Sequence, residues 1–396
     1  MHLREPDSMC SLLHSGLERQ LRIEAYGWNS QIRSASTGPT ANLHAAAHVQ
    51  PSSQRSDEQL RWETKNAAES VDPFSLVHQE VQIVSERLRH SVLSSVPALA
   101  SAAEYFFRPG REGKRLRPTL ALLMASALSS EAPGPSLLQL DLRPASDHPS
   151  ERRRQQQRLA EISELIHVAS LLHDDVIDDA ETRRGILSLN AMLGNKTAIL
   201  AGDFLLARAS VSLASLRNTQ VVELMSQVLE NLVSGEIMQM TATQDQLADQ
   251  AFYLEKTYCK TASLMANSVK SIAVLAGQAA TVCDAAESYG RHLGIAFQIV
   301  DDILDLTASS TLLGKPALND IKSGLSTLPV LLAAEEHPEL KPLILRKFKG
   351  NGDQAEALRL LGKSQGILRA RKMAEHHCMM AAEMVSVRSM LCPFVL

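Results

Sequence analysis

Two aspartate clusters of identical spacing, each set in an apolar stretch, limit what this chain can fold into. One is Asp174-Asp175-Val176-Ile177-Asp178 and the other Asp301-Asp302-Ile303-Leu304-Asp305. On a helix, positions i and i+4 share a face. Asp174 therefore points with Asp178, and Asp301 with Asp305. Like charges at this spacing cost a helix a few tenths of a kcal/mol per pair, and burial adds to that. A hard cation reverses the cost, because Mg²⁺ takes oxygen ligands from one or two carboxylates plus substrate phosphates. Two such helices facing each other across a cavity could hold a diphosphate through bridging Mg²⁺. A solvated acidic face would explain either cluster alone. One pentad arises by chance in roughly one chain in ten of this length; a pair with apolar flanks is far rarer.

The rest of the chain supports a helical frame. Phe74, Val77, Val81, Val84, Leu88 and Val92 recur at three- and four-residue steps, as do Leu159, Ile162, Leu165, Ile166, Ala169, Leu172 and Val176. Tyr289, Leu293, Ala296, Val300 and Ile303 repeat the pattern leading into the second cluster. This is the stripe of core-facing helices, and no β alternation competes with it between 72 and 380. The expected fold is all-α: a bundle of about ten helices, one domain over residues 71–396, with its site in the core. A polar, proline-bearing stretch at 129–157 that includes Arg152-Arg153-Arg154 reads as a long surface loop.

Composition narrows the function. The 396 residues are 45% hydrophobic with a net charge of −4, so no nucleic-acid footprint is evident. Five scattered cysteines form no C-x-x-C pair, which argues against a disulfide framework or zinc. No uninterrupted apolar run approaches ~18 residues, so a transmembrane helix is not expected; peripheral contact with a membrane surface stays open. Residues 1–70 differ from the rest. Ala25 to Ser56 holds no Asp or Glu but carries Arg33 and Arg55 among many Ser, Thr and Ala residues. That composition reads as an organellar transit peptide, or else a plain disordered tail.

Cations accompany the clusters. Gly113-Lys114-Arg115-Leu116-Arg117 supplies three after a glycine, Arg183-Arg184 follows the first cluster, Lys256 and Lys260 lie four apart, and Lys315 follows the second cluster. Arginine can chelate phosphate oxygens in pairs and lysine acts as a point charge. His167 lies two helical turns before Asp174 and shares its face.

Together these residues resemble the trans-type polyprenyl diphosphate synthases, most closely the long-chain solanesyl-type enzymes of plants and algae. The resemblance covers about residues 72–380. It rests on E-G-K-R-L-R-P (112–118), L-L-H-D-D-V-I-D-D-A-E-T-R-R-G (171–185), L-A-G-D-F-L-L (200–206), G-E-I-M-Q-M (235–240), K-T-A-S-L (260–264) and F-Q-I-V-D-D-I-L-D (297–305). It implies a helical isoprenoid-synthase bundle around a central cavity, two to three Mg²⁺ ions, and a homodimer. Asp174, Asp175 and Asp178 would bind metal and the allylic diphosphate, and Asp301, Asp302 and Asp305 would complete the metal site. Lys114, Arg117, His167 and Arg184 match the isopentenyl diphosphate pocket, and Arg183 the allylic diphosphate. Lys260, Thr261, Gln298 and Lys315 match groups near the allylic diphosphate and the developing cation. Short-chain relatives block the cavity with aromatics four and five residues before the first cluster. Ala169 and Ser170 stand there, so the product should pass four units; eight to ten are implied, nine by the solanesyl likeness. The farnesyl- or geranylgeranyl-primed product would supply a quinone side chain, in the mitochondrion or alternatively the plastid.

Three features depart from the pattern. After Ala382 the chain lacks the Leu-, Arg- and Lys-rich helix that covers the site in relatives, so residues 383–396 are atypical. Leu325 replaces a lysine that many relatives carry beside Gly324. Leu187 and Ser188 stand where relatives often have small residues. Two rival readings follow: a non-catalytic subunit of a heteromeric synthase, against which both intact clusters argue, and a class I terpene cyclase, which has no use for a second diphosphate pocket.

Overall fold

The computed structural model describes residues 73–92, 105–107, 113, 115–128, 150–183, 185–307 and 318–386. The chain divides into Met1–Leu76 and Val77–Leu396. In the first unit, the single turn Pro73–Leu76 is helical; the transit-peptide expectation for residues 1–70 lies outside the described residues. The second unit carries everything below.

Its main helices are α1 (His78–Ser91), α2 (Leu116–Ala127), α3 (Glu151–Ile177), α4 (Leu189–Leu193), α5 (Asn195–Ser215), α6 (Thr219–Thr241) and α7 (Gln250–Thr257). After a π-helical turn at Tyr258–Ala262 come α8 (Ser263–Leu275), α9 (Ala280–Thr307), α10 (Asn319–Lys322), α11 (Leu328–Glu336), α12 (Leu340–Leu345), α13 (Asp353–Leu361) and α14 (Gly366–Val385). The estimate of about ten helices fits the longer elements and misses the short ones. Among the described residues the only strands are a hairpin, β1 (Thr182–Arg183) and β2 (Ile186–Leu187), just after the first aspartate cluster.

The hydrophobic stripes face the core as the spacing requires. Val84, Leu88 and Val92 are buried on and beside α1, Leu159, Ile162, Leu165, Ile166, Ala169 and Leu172 on α3, and Leu293, Ala296 and Ile303 on α9. Helix α8 is buried along almost its whole length. It packs against α9 and α6, α9 packs along α14, and α3 packs along α5.

One approach is unusually close. A Cβ on Gly294 would stand 2.5 Å from the Ala262 Cα, and one on Gly290 2.7 Å from the Ala266 Cα. Only glycine lets α9 lie this near the π turn and α8.

The loop expected at 129–157 ends earlier than the sequence suggested. Residues 129–149 lie outside the described residues, and 151–157 form the first two turns of α3. Ser150 caps that helix by accepting from the Arg153 amide at 3.2 Å. Arg153 pairs with Glu80 on α1 and donates to the Ser126 hydroxyl on α2, and Gln156 and Gln157 are buried. The polar residues at 150–157, read as loop in the sequence, are the capped, hydrogen-bonding end of a helix. At the other end α14 continues to Val385, so Glu383 to Val385 are helical, and residues 387–396 lie outside the described residues.

Helix α5 is long and apolar enough to cross a membrane by length and composition, the one such helix among the described residues. Lys196, Asp203 and Arg208 interrupt it, which is why no unbroken apolar run marks it in the sequence. One helix of this kind, packed along α3, is weak support for a span.

Candidate active site

Asp174, Asp175 and Asp178 close the C-terminal end of α3. Asp175 is buried, and the Arg183 guanidinium of β1 grips its Oδ1 through both Nε, at 2.9 Å, and Nη2. The hairpin that follows the cluster therefore folds its arginine back onto it. Burial works against the charge on Arg183, but the hydrogen bond to Asp175 and the nearby Asp174 and Asp178 raise its pKa above the ordinary value. Burial pushes the Asp174 carboxyl up to about 6, Lys260 opposing and Glu236 and Asp178 adding to the shift. Asp178 is raised for the same first reason, burial.

The π turn supplies the opposing charge, Lys260, and helix α6 the carboxylate that holds it. Lys260 pairs with Glu236, and a Cβ on Gly235 would stand 2.7 Å from the Lys260 Cγ, so Gly235 admits the lysine stem. The π turn itself is a sign of function, because such turns concentrate at functional sites. It presents Lys260 and Thr261 together.

The second cluster is tied to the same turn. The Thr261 hydroxyl donates to Gln298 Oε1 at 2.8 Å, Gln298 Nε2 donates to Asp302 Oδ1 at 2.8 Å, and the Tyr253 hydroxyl donates to Asp302 Oδ2 at 2.6 Å. The pairing fixes the orientation of the Gln298 amide. Burial pushes Asp302 up to about 6 although both hydrogen bonds favour its ionised form. Asp305 is fully buried, and its Oδ2 accepts the Asp320 amide at 3.0 Å, starting α10. It thus organises the chain after the cluster.

Among the other expected residues, Arg117 is on α2, where burial lowers its pKa and Glu164 opposes the shift. Its neighbour Arg115 makes a buried ion pair with Glu164 at 2.6 Å. His167 is half-buried on α3 and its carbonyl accepts from Ser170 at 2.9 Å. Ala169 is buried and Ser170 half-buried. Lys114, Arg184 and Lys315 lie outside the described residues. Sequence reasoning missed Tyr253 and Glu236 as partners of the site. Glu236 lies inside the G-E-I-M-Q-M motif and could have been found there; Tyr253, distant in sequence from Asp302, carried no signal.

Among the described residues no three His, Cys, Asp or Glu side chains converge into a closed metal cage. Mg²⁺ needs none, since it keeps waters and shares ligands with substrate phosphates. The donors present fit such an ion. Asp175 Oδ2 is buried without a hydrogen-bond partner, and the carboxylates that crowd Asp174 are hard oxygen ligands.

Comparison with known proteins gives a consistent picture. The profile described as Polyprenyl synthetase matches residues 96–361. Solanesyl diphosphate synthase 3, chloroplastic/mitochondrial, of Arabidopsis thaliana is 51% identical over 315 residues, covering 79% of this chain and 74% of that protein. The mitochondrial solanesyl-diphosphate synthase 1 of Oryza sativa subsp. japonica is 50% identical, covering 78% and 71%. Among solved structures, a polyprenyl synthase from Caulobacter crescentus complexed with calcium and isoprenyl diphosphate superposes with a TM-score of 0.68 at 29% identity, covering 79% of this chain and 90% of that one.

Proposed function

This chain belongs to the polyprenyl synthetase family and makes long-chain trans-polyprenyl diphosphates, and on that premise we propose which residues hold the two diphosphates and drive the condensation. The supporting observation is the hydrogen-bonded relay Thr261–Gln298–Asp302–Tyr253, which ties the second aspartate cluster to the turn that also carries Lys260. Asp174, Asp175 and Asp178 on one side and Asp301 and Asp302 on the other hold the allylic diphosphate with two to three Mg²⁺, and Asp305 holds the start of α10 beside them. Bound there, Mg²⁺ supplies the positive charge that lets the diphosphate depart.

The chain's own groups do the rest. Arg183 anchors Asp175 and neutralises the diphosphate. Lys260, held by Glu236, points a second positive charge at the same place. The Thr261 hydroxyl and the Gln298 carbonyl stabilise the allylic cation as fixed dipoles that need no reorganisation. Lys114, Arg117, His167 and Arg184 bind isopentenyl diphosphate, whose double bond attacks the cation. A proton then leaves to the released diphosphate, so no protein nucleophile is required.

The product is nine isoprene units long and serves a quinone side chain. Small residues at 169 and 170 leave room for it. The mitochondrion is the proposed location, with the plastid as the alternative, in line with the names of the rice and Arabidopsis relatives. A homodimer covers the apolar side chains exposed on α5 (Ile199, Leu200, Val211) and α6 (Val233, Ile237, Met240).

The test is incubation of the full chain with Mg²⁺, labelled isopentenyl diphosphate and farnesyl or geranylgeranyl diphosphate, with products sized by mass. Long all-trans products that vanish in Asp174→Ala and Asp301→Ala support the assignment. A folded Asp301→Ala variant that elongates normally refutes it.

A further inference from the structure

Beside Tyr253, the hydrogen-bond partner of Asp302, lies a cavity whose lining, among the described residues, includes none of the groups proposed to hold the two diphosphates. Its volume is about 60 Å³, and Tyr253, Lys256, Gly324, Leu325, Ser326 and Lys347 are among the residues that line it. A water needs roughly 10–15 Å³ on this measure, so there is room for several water-sized groups, the scale of a phosphoryl group.

Its polar inventory is lopsided. Lys256 stands over the Tyr253 ring at 5.7 Å and makes no hydrogen bond or ion pair among the described residues, although burial disfavours its charge. Lys347 lines the same cavity. The Ser326 hydroxyl is buried without a partner. Asp249, the one acidic residue in the lining, is already engaged, its carboxylate accepting the Ala251 and Phe252 amides at the start of α7. The lining therefore includes two lysines and a serine whose hydroxyl has no partner, with no uncommitted carboxylate.

We propose that Lys256, Lys347 and Ser326 form a phosphoryl-binding pocket that holds one end of a diphosphate beside Asp302. The proposal rests on the reading of Asp301 and Asp302 as diphosphate-side carboxylates. Lys256 lies one helical turn before Lys260 and is electrostatically coupled to both Lys260 and Asp302, so a diphosphate held through the second cluster would meet both lysines. Leu325, where relatives often place a lysine, lines this cavity too. Lys256 thus supplies a cation at a wall where position 325 does not.

The experiment measures inorganic diphosphate binding to the full-length protein by calorimetry with Mg²⁺ present. It compares wild type with Lys256→Gln, Lys256→Arg and the double variant Lys256→Gln/Leu325→Lys. Loss of one charge-assisted contact should weaken binding about tenfold or more. The thermal midpoint of Lys256→Gln should stay within about a degree of wild type, and both Lys256→Arg and the double variant should recover most of the affinity. The Michaelis constant for the allylic primer separates the two sources of the diphosphate. If it rises in step, the pocket holds the substrate's diphosphate; if it is unmoved while inorganic diphosphate binds weakly, the pocket holds the released product. Unchanged diphosphate binding in Lys256→Gln overturns the pocket, as does a loss that neither the arginine nor the Leu325→Lys change restores. Those results in a wild type that elongates normally would leave the aspartate assignment standing. A wild type that neither binds diphosphate nor elongates would remove both.

Discussion

Gly294→Ala should damage catalysis more than stability, and the size of both effects follows from the α9 contact with the π turn. The new methyl carbon would sit 2.5 Å from the Ala262 Cα and 2.7 Å from its Cβ. Carbon atoms at rest stand about 3.5–4.0 Å apart, so the two segments must separate by about 1 Å. Overpacking of this kind costs about 1–3 kcal/mol, and alanine's better helix propensity returns about 1 kcal/mol. The net loss of stability is therefore about 0–2 kcal/mol. Activity depends on geometry instead. Thr261 adjoins Ala262, and Gln298 is one turn beyond Gly294, so the same separation stretches their 2.8 Å hydrogen bond past bonding distance. A displacement of about 1 Å at a reacting centre can cost about a hundredfold in rate. Thermal unfolding and turnover with labelled isopentenyl diphosphate measure the two effects side by side. The expected result is a midpoint lowered by a few degrees and turnover reduced at least tenfold. Adding Ala262→Gly should not rescue the variant, since the nearest atom is the Cα. Wild-type turnover in Gly294→Ala, or full rescue by Ala262→Gly, would refute the reasoning.

Other outcomes follow from single contacts. Arg115→Met strands Glu164 without its buried partner and should cost about 3–5 kcal/mol, read by chemical denaturation; a loss below 1 kcal/mol would mean Glu164 finds another donor. His292 and His377 meet at 2.9 Å between α9 and α14, and burial, with His292 nearby, pushes His377 from 6.5 down to about 4. The neutral form is favoured in the fold, so this contribution is complete above pH 6.5 and is lost as pH falls toward 4. After discounting for partial exposure it is about 1–2 kcal/mol. His377→Gln should flatten the slope of stability against pH across that window, and an unchanged slope would place the titration elsewhere. Ala169→Phe should shorten the product, seen by mass; a parental distribution would show that the cavity floor lies elsewhere.

The aspartate pentads and the hydrophobic stripes were legible because each depends on neighbours within a few turns of one helix. The periods that mark Leu159 to Leu172 and Tyr289 to Ile303 survive into buried faces for that reason. What stayed hidden joins residues far apart in sequence. Tyr253 reaches Asp302 and Thr261 reaches Gln298 across separations of 49 and 37 residues, and the polar start of α3 resembles a loop until Glu80 is seen opposite Arg153. The π turn was hidden for another reason. Its residues, Tyr258 to Ala262, have ordinary helical preferences, and only the close packing against Gly235 and Gly294 shows why the turn is widened there.

That widened turn makes the chain between Tyr253 and Ala266 a ruler with a fixed count. Each residue of an α-helix turns the next by about 100°. Tyr253 must face Asp302 while Ala262 and Ala266 face the two glycines of α9, and the π turn is what lets both alignments hold along nearly continuous helix. Shortening or lengthening this stretch by one residue would swing one group of side chains off its partners by more than a quarter turn. A substitution there removes the contacts of one side chain; a change in length displaces a whole group of them.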